Sequence, residues 1–121
     1  MNKGPRRARV LVHGEPAGVL EEIERGQRYR FSYLPEYEGP QVSLTMPLEE
    51  RVYEFEGFPP FFDGLLPEGI LLEALLRQSK IDKRDYFLQL VTVGADLVGA
   101  VTVETMADKT KADRTTDRAM K

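Results

Sequence analysis

The stretch QRYRFSYL, residues 27–34, decides the fold. Tyr29, Phe31 and Tyr33 fall on one side of an extended chain, and Arg28, Arg30 and Ser32 on the other. A period of two with one greasy and one wet face marks an antiparallel strand packed on a single side. The same pattern spreads outward. RARVLVHG (7–14) alternates and is rich in Val and Leu, so it reads as a strand; Gly14-Glu15-Pro16 turns the chain. AGVLEEIE (17–24) is a second strand, with a short helix open as the alternative because of its Glu pair, and Arg25-Gly26 is the next turn. PEYEGPQ (35–41) is a loop marked by two prolines and a glycine. VSLTM (42–46) and RVYEF (51–55) are expected as short strands that complete an antiparallel meander.

At Gly57 the period changes. FPPFFDGLLPEG (58–69) holds too many Pro and Gly for a long helix, but has room for one or two short turns. Pro67 suits the first position of the next helix, where its missing N–H costs nothing, and that helix runs to Gln78 or Lys80. Asp82 is the expected N-cap of another helix, with Asp85 at capping-box spacing, burying Tyr86, Phe87, Leu90 and Val91 and ending near Gly94. DLVGAVTV (96–103) is the last strand. The fold class is therefore α+β: an antiparallel β-sheet with two to three helices packed on one face.

The chain's 121 residues correspond to one domain by the usual length of ~100–200 residues. Its net charge of −3 is unevenly spread. Residues 1–9 form a basic arm of +4, residues 107–121 a polar tail of +2 expected to be disordered, and 10–106 carries 8 bases against 17 acids. An acidic body repels phosphate backbones, which argues against direct nucleic-acid binding. With no cysteine there is no disulfide framework and no thiolate chemistry. The N-terminus lacks an apolar signal core and no stretch reaches membrane-spanning length, so a cytoplasmic protein is expected.

No motif for catalysis emerges. His13 is the only histidine and stands beside a turn glycine, where an exposed or structural role is expected. No metal-spaced set, phosphate-binding glycine loop or kinase catalytic signature is present, so no cofactor and no enzymatic activity are expected. Glu49, Glu50, Glu54 and Glu56 read as a solvated acidic rim rather than a catalytic carboxylate pair, with a docking surface for a basic partner as the alternative. The helix after Pro67 is more informative. At 100° per residue, Ile70, Leu71, Leu72, Ala74, Leu75 and Leu76 cover about 240° of its circumference, against the ~100–140° one sheet can bury. Some of that surface needs other cover, and Ile70, beside the Glu73/Arg77 strip, is the first candidate for exposure.

Three stretches carry a family resemblance: VHGEPAGVL, FPPFFDGLLPEG and DYFLQLVTVGADLVGAVTV. With them the chain from Val10 to Val103 resembles the N-terminal subdomain of the HipA family of bacterial Ser/Thr kinases. In such kinases a larger catalytic body follows. A free-standing version resembles the HipS component of three-gene HipBST toxin–antitoxin systems, in which the HipT kinase toxin lacks this subdomain and HipB is a DNA-binding protein. The resemblance implies an antitoxin that docks on a HipT-like kinase, in a larger complex that can include a HipB-like protein. It places the partner contact on Phe61, Phe62, Asp63, Leu65, Leu66, Pro67, Glu68, Gly69, Ile70 and Leu71. Asp63 is expected to cap the short turn there, with pairing to a basic kinase residue as the alternative, Gly64 and Gly69 to permit tight turns, and Pro67 to stiffen the loop. Relatives carry a Trp after LLPEG; here that position is Ile70 and the chain has no Trp.

Overall fold

The computed structural model describes residues 6–97 and 99–106. The strands are β1 (Arg6–Val12), β2 (Glu15–Glu24), β3 (Arg28–Tyr33), β4 (Val52–Glu56) and β5 (Val101–Thr105). The helices are α1 (Pro60–Asp63), α2 (Gly69–Ser79) and α3 (Tyr86–Val93), the last running into a 3₁₀ turn at Gly94–Asp96. The strands form one antiparallel sheet in the order β4-β3-β2-β1-β5. The expected α+β class holds.

The alternation of residues 27–34 is realised as read: Tyr29, Phe31 and Tyr33 are buried, and Arg30 and Ser32 face the other way. Ala8, Val10 and Val12 of β1, Leu20 of β2 and Val103 of β5 join them, with Phe62, Phe87 and Leu90 covering the same face from α1 and α3. On the opposite face the register lines up Arg7, Glu21, Arg30 and Glu54 across four strands. Arg30 lies 3.8 Å from Glu21 and 3.1 Å from Glu54, and Arg9 pairs with Glu104 at 2.7 Å. Such exposed pairs contribute little stability each but keep this face wet.

Several local expectations are corrected. Residues 42–46 are not a strand; only an isolated Ser43–Met46 bridge forms. The Tyr33 hydroxyl accepts from the Val42 N–H at 2.8 Å and donates to the Met46 carbonyl at 2.6 Å, while Ser43 and Thr45 bond each other. Those side chains take the bonds a strand ladder would need. Pro67 is not the first helical residue: Glu68 is still extended and α2 starts at Gly69. The cap of α3 is Asp85, which accepts from Leu88 N–H at 3.1 Å; Asp82 instead closes the preceding turn on Arg84 N–H. With the helix starting at Tyr86, Tyr86 is exposed and Gln89 turns inward, donating to the Lys83 carbonyl at 3.0 Å. The last strand starts at Val101, because Gly94–Asp96 are wound into the 3₁₀ turn. The basic arm drawn over 1–9 gives residues 6–9 to β1, and the expected disorder of 107–121 lies outside the described residues. His13 is exposed in the β1–β2 turn with a positive φ of 51°.

The first strand and α3 are joined by charge inside the fold. Glu22, only 3% exposed, accepts from Arg6 Nε at 2.6 Å, from Tyr29 hydroxyl at 2.9 Å and from Gly26 N–H at 3.0 Å. Arg6 also donates to both Asp85 carboxylate oxygens, at 2.8 and 3.2 Å, and its guanidinium lies 5.0 Å from the centre of the Phe87 ring. Burial by itself raises the Glu22 carboxyl, but the bonds from Arg6, Gly26 and Tyr29 outweigh it and hold it below its ordinary value. Asp85 is likewise raised by burial and lowered further by Arg6 and the Leu88 N–H, with a net downward shift. A depressed carboxyl stabilises the fold above its unfolded pKa and loses that contribution as pH falls through its folded value. Stability from this cluster is therefore flat at neutral pH and declines below about pH 4–5. Glu22→Gln should cost about 2–4 kcal/mol at pH 7 and flatten the acid limb, as read by urea melts at stepped pH.

Candidate partner-binding surface

The segment between β4 and α2 is fastened at one point and free at another. Pro59 and Pro60 start α1, whose single turn carries Phe62 into the core, fully buried, 6.0 Å from the Phe31 ring and 5.1 Å from Phe61. Two further turns follow, Leu65 N–H bonding Phe62 carbonyl and Leu66 N–H bonding Asp63 carbonyl, both near 3.0 Å. Leu65 and Leu66 lie half-buried against the core, and Pro67 is half-buried after them. The chain then leaves the body. Glu68 is exposed, and in α2 Ile70 is 82% and Leu71 70% exposed.

Among the described residues no α2 side chain is fully buried. Leu72, Ala74, Leu75 and Leu76 are half-buried, so the wide apolar circumference read from the sequence remains partly open. α2 ends on Lys80, which takes a left-handed conformation (φ 56°) and donates its N–H to the Leu76 carbonyl. The flanks differ in charge. Asp63, Glu68 and Glu73 are exposed at the leading end, and Arg77, Lys80, Lys83 and Arg84 at the trailing end. The result is an apolar knob between an acidic and a basic border.

The ten residues expected to meet a partner thus separate into three groups. Ile70 and Leu71 are presented outward, and Glu68 and Asp63 are exposed as well. Phe61, Leu65, Leu66 and Pro67 are half-buried supports. Phe62 is a core residue, fully buried in this chain with its ring 6.0 Å from that of Phe31. Asp63 does not cap α1: it is the last residue of that turn, and Pro59 holds the N-cap position. Gly64 is not required by conformation, since its φ is −66° and an added Cβ would come no closer than 3.4 Å to Phe61 carbonyl oxygen. Gly69 opens α2.

Sequence reasoning missed the Arg6–Glu22–Asp85 cluster and the exposure of Leu44, Tyr86 and Leu88. A signal for Glu22 was present: two residues beyond buried Leu20 in a strand, it had to share the inner face. Among the described residues no group of His, Cys, Asp and Glu could hold a metal ion, and no helix is long and apolar enough to cross a membrane.

A five-stranded antiparallel sheet backed by short helices, with an outward apolar knob at the start of α2, defines a small α+β module. Residues 8–104 match the family model of the HipA N-terminal domain, and the chain belongs to that family. An uncharacterized protein of Haemophilus influenzae is 35% identical over 99 residues, covering 82% of this chain and 92% of that protein. A putative kinase, Y4dM, of Sinorhizobium fredii is 33% identical over 103 residues, 78% of this chain but only 25% of the kinase. A solved structure described as the N-terminal domain of HipA toxin superposes with a TM-score of 0.69 and 29% identity, covering 90% of this chain and all of that one.

Proposed function

We propose that this protein is an antitoxin that binds and inhibits a HipT-like Ser/Thr kinase in trans, and has no catalytic activity of its own. The observation that carries the reading is the exposure of Ile70 and Leu71 at the head of a helix with no fully buried side chain among its described residues. Two neighbouring aliphatic side chains held out in water in the first turn of α2 are available for insertion into an apolar recess. A relative named as a putative kinase supports a kinase as the partner's class. The domain occurs as a quarter of a putative kinase, and as nearly all of a small protein. A kinase body lacking this domain would be completed by binding it in trans. Ile70 enters the kinase cleft or the seam beside it, and a HipB-like DNA-binding protein completes the complex without this chain touching DNA.

Co-expression with a HipT-like kinase lacking this domain tests the proposal. Co-purification and rescue of growth are expected. A kinase that stays toxic and unbound sinks the antitoxin reading. A second reading, a subdomain acting only within a single-chain kinase, is favoured by the Sinorhizobium relative. A reading frame continuous with a kinase body would decide for it.

A further inference from the structure

The sheet has two edges, and they are treated differently. The β5 edge is packed by the 3₁₀ turn, whose Gly94 lies directly on the Val103 backbone. The β4 edge has no such cover among the described residues. Tyr33 N–H bonds the Arg51 carbonyl at 2.9 Å and Gly57 N–H bonds the Gln27 carbonyl at 2.7 Å, which fixes the hydrogen-bonded phase of the β3–β4 ladder. In that phase Tyr53 and Phe55 direct their backbone groups at β3. Val52, Glu54 and Glu56 direct theirs away from the sheet, and none of them forms another backbone bond among the described residues. A row of three N–H and three C=O groups is therefore open.

We propose that this edge receives an extended protein segment carrying Lys or Arg at alternate positions, which becomes a sixth strand. The side chains select the occupant. Glu54 and Glu56 stand out from the same strand as half-exposed Val52, with Glu49 and Glu50 just before it, all exposed. Glu54 shares Arg30 with Glu21, while Glu49, Glu50 and Glu56 have no cation within 4.0 Å among the described residues. A second copy of this chain is disfavoured, since a two-fold pairing centred on Glu54 opposes carboxylate to carboxylate. A basic strand places a cation opposite Glu54 and another opposite Glu56, and lays the aliphatic stem of a third against Val52. A shallow groove of about 190 Å³, lined by Ile23, Arg28, Tyr29, Glu54, Phe55 and Glu56, lies alongside to take one of its side chains. The assignment does not depend on the kinase reading, because the edge and the Ile70 knob are separate features.

Amide exchange by NMR with two short synthetic peptides, TKVKVKT and its acidic counterpart TEVEVET, tests it. The basic peptide should slow exchange at the amides of Val52, Glu54 and Glu56 roughly tenfold at millimolar concentration, and the acidic peptide should leave them unchanged. N-methylation of the basic peptide on the residues facing β4 should abolish the effect; methylation of the alternate residues should not. Glu54→Pro, which removes an outward N–H and leaves the β3 ladder intact, should also abolish it. Unaltered exchange at the three amides overturns the proposal, as does equal protection by the acidic peptide. A concentration-dependent dimer that Glu54→Pro dissolves would hand the edge to a second copy and overturn it too.

Discussion

The double variant Ile70→Asp, Leu71→Asp should bind the kinase at least ~30-fold more weakly while folding normally, because truncating an interface anchor typically costs 2 kcal/mol or more. Both side chains are largely in water in the lone chain, so the substitutions remove almost no internal packing. Both lie in the first turn of α2, where a carboxylate is favoured by the unpaired N–H groups and the helix dipole. The melting temperature is thus expected to stay the same or rise slightly. Calorimetric titration into the purified kinase reads the affinity and a thermal melt checks the fold. Leu66→Asp is the poorer probe, since Leu66 packs against the core and its loss confuses folding with binding. Leu44→Asp, on the tip of the 43–46 turn, is the control at another exposed leucine. If Leu44→Asp weakens binding and the Ile70/Leu71 variant does not, the contact lies elsewhere on the domain.

Gly94→Ala should be the most damaging single methyl in the protein. A Cβ at Gly94 would sit 1.9 Å from Val103 carbonyl oxygen and 2.7 Å from its carbonyl carbon. Those are backbone atoms of β5, so no rotamer change relieves the overlap. The 3₁₀ turn must lift off the strand, and α3, which carries Phe87 and Leu90 into the core, must move with it. Overpacking ordinarily costs ~1–3 kcal/mol. Here the upper end or more is expected, which lowers the melting temperature by roughly 10 °C or more for a domain of this size. Gly64→Ala is the matched control: its φ is −66° and the added methyl meets nothing closer than 3.4 Å. That variant should be neutral or gain up to about 1 kcal/mol through the unfolded chain. Equal melting of the two proteins would refute the close approach at Gly94.

How far the sequence alone carried the reading follows from where the physics is local. Strands with a clear period of two, such as β3, were legible because one buried face dictates the alternation. The strand expected at 42–46 failed because its fate rests on Tyr33, whose hydroxyl is buried beneath it and unseen in a local window. The start of α3 slipped by a few residues because Asp82 and Asp85 are equally good caps by composition; the choice is made by Arg6, brought from 79 residues away. At the candidate surface, the excess apolar circumference of α2 was readable by counting residues around the helix. Which of those residues face water was not, and Phe62, in the same run of aromatics as Phe61, turned out to belong to the core. A one-dimensional pattern states how much surface is left over; only packing states where it is.

The strand order carries a consequence for how the domain comes into being. Among the described strands β1 is made first and β5 last, yet β1 lies between β2 and β5 in the sheet. Val10 and Val12 therefore wait for Val101 and Val103 through most of translation. Long-range closure of this kind slows folding and leaves a naked strand edge on the nascent chain. Until Val101 and Val103 arrive, that open edge of β1 is where a part-made domain can pair with the wrong strand.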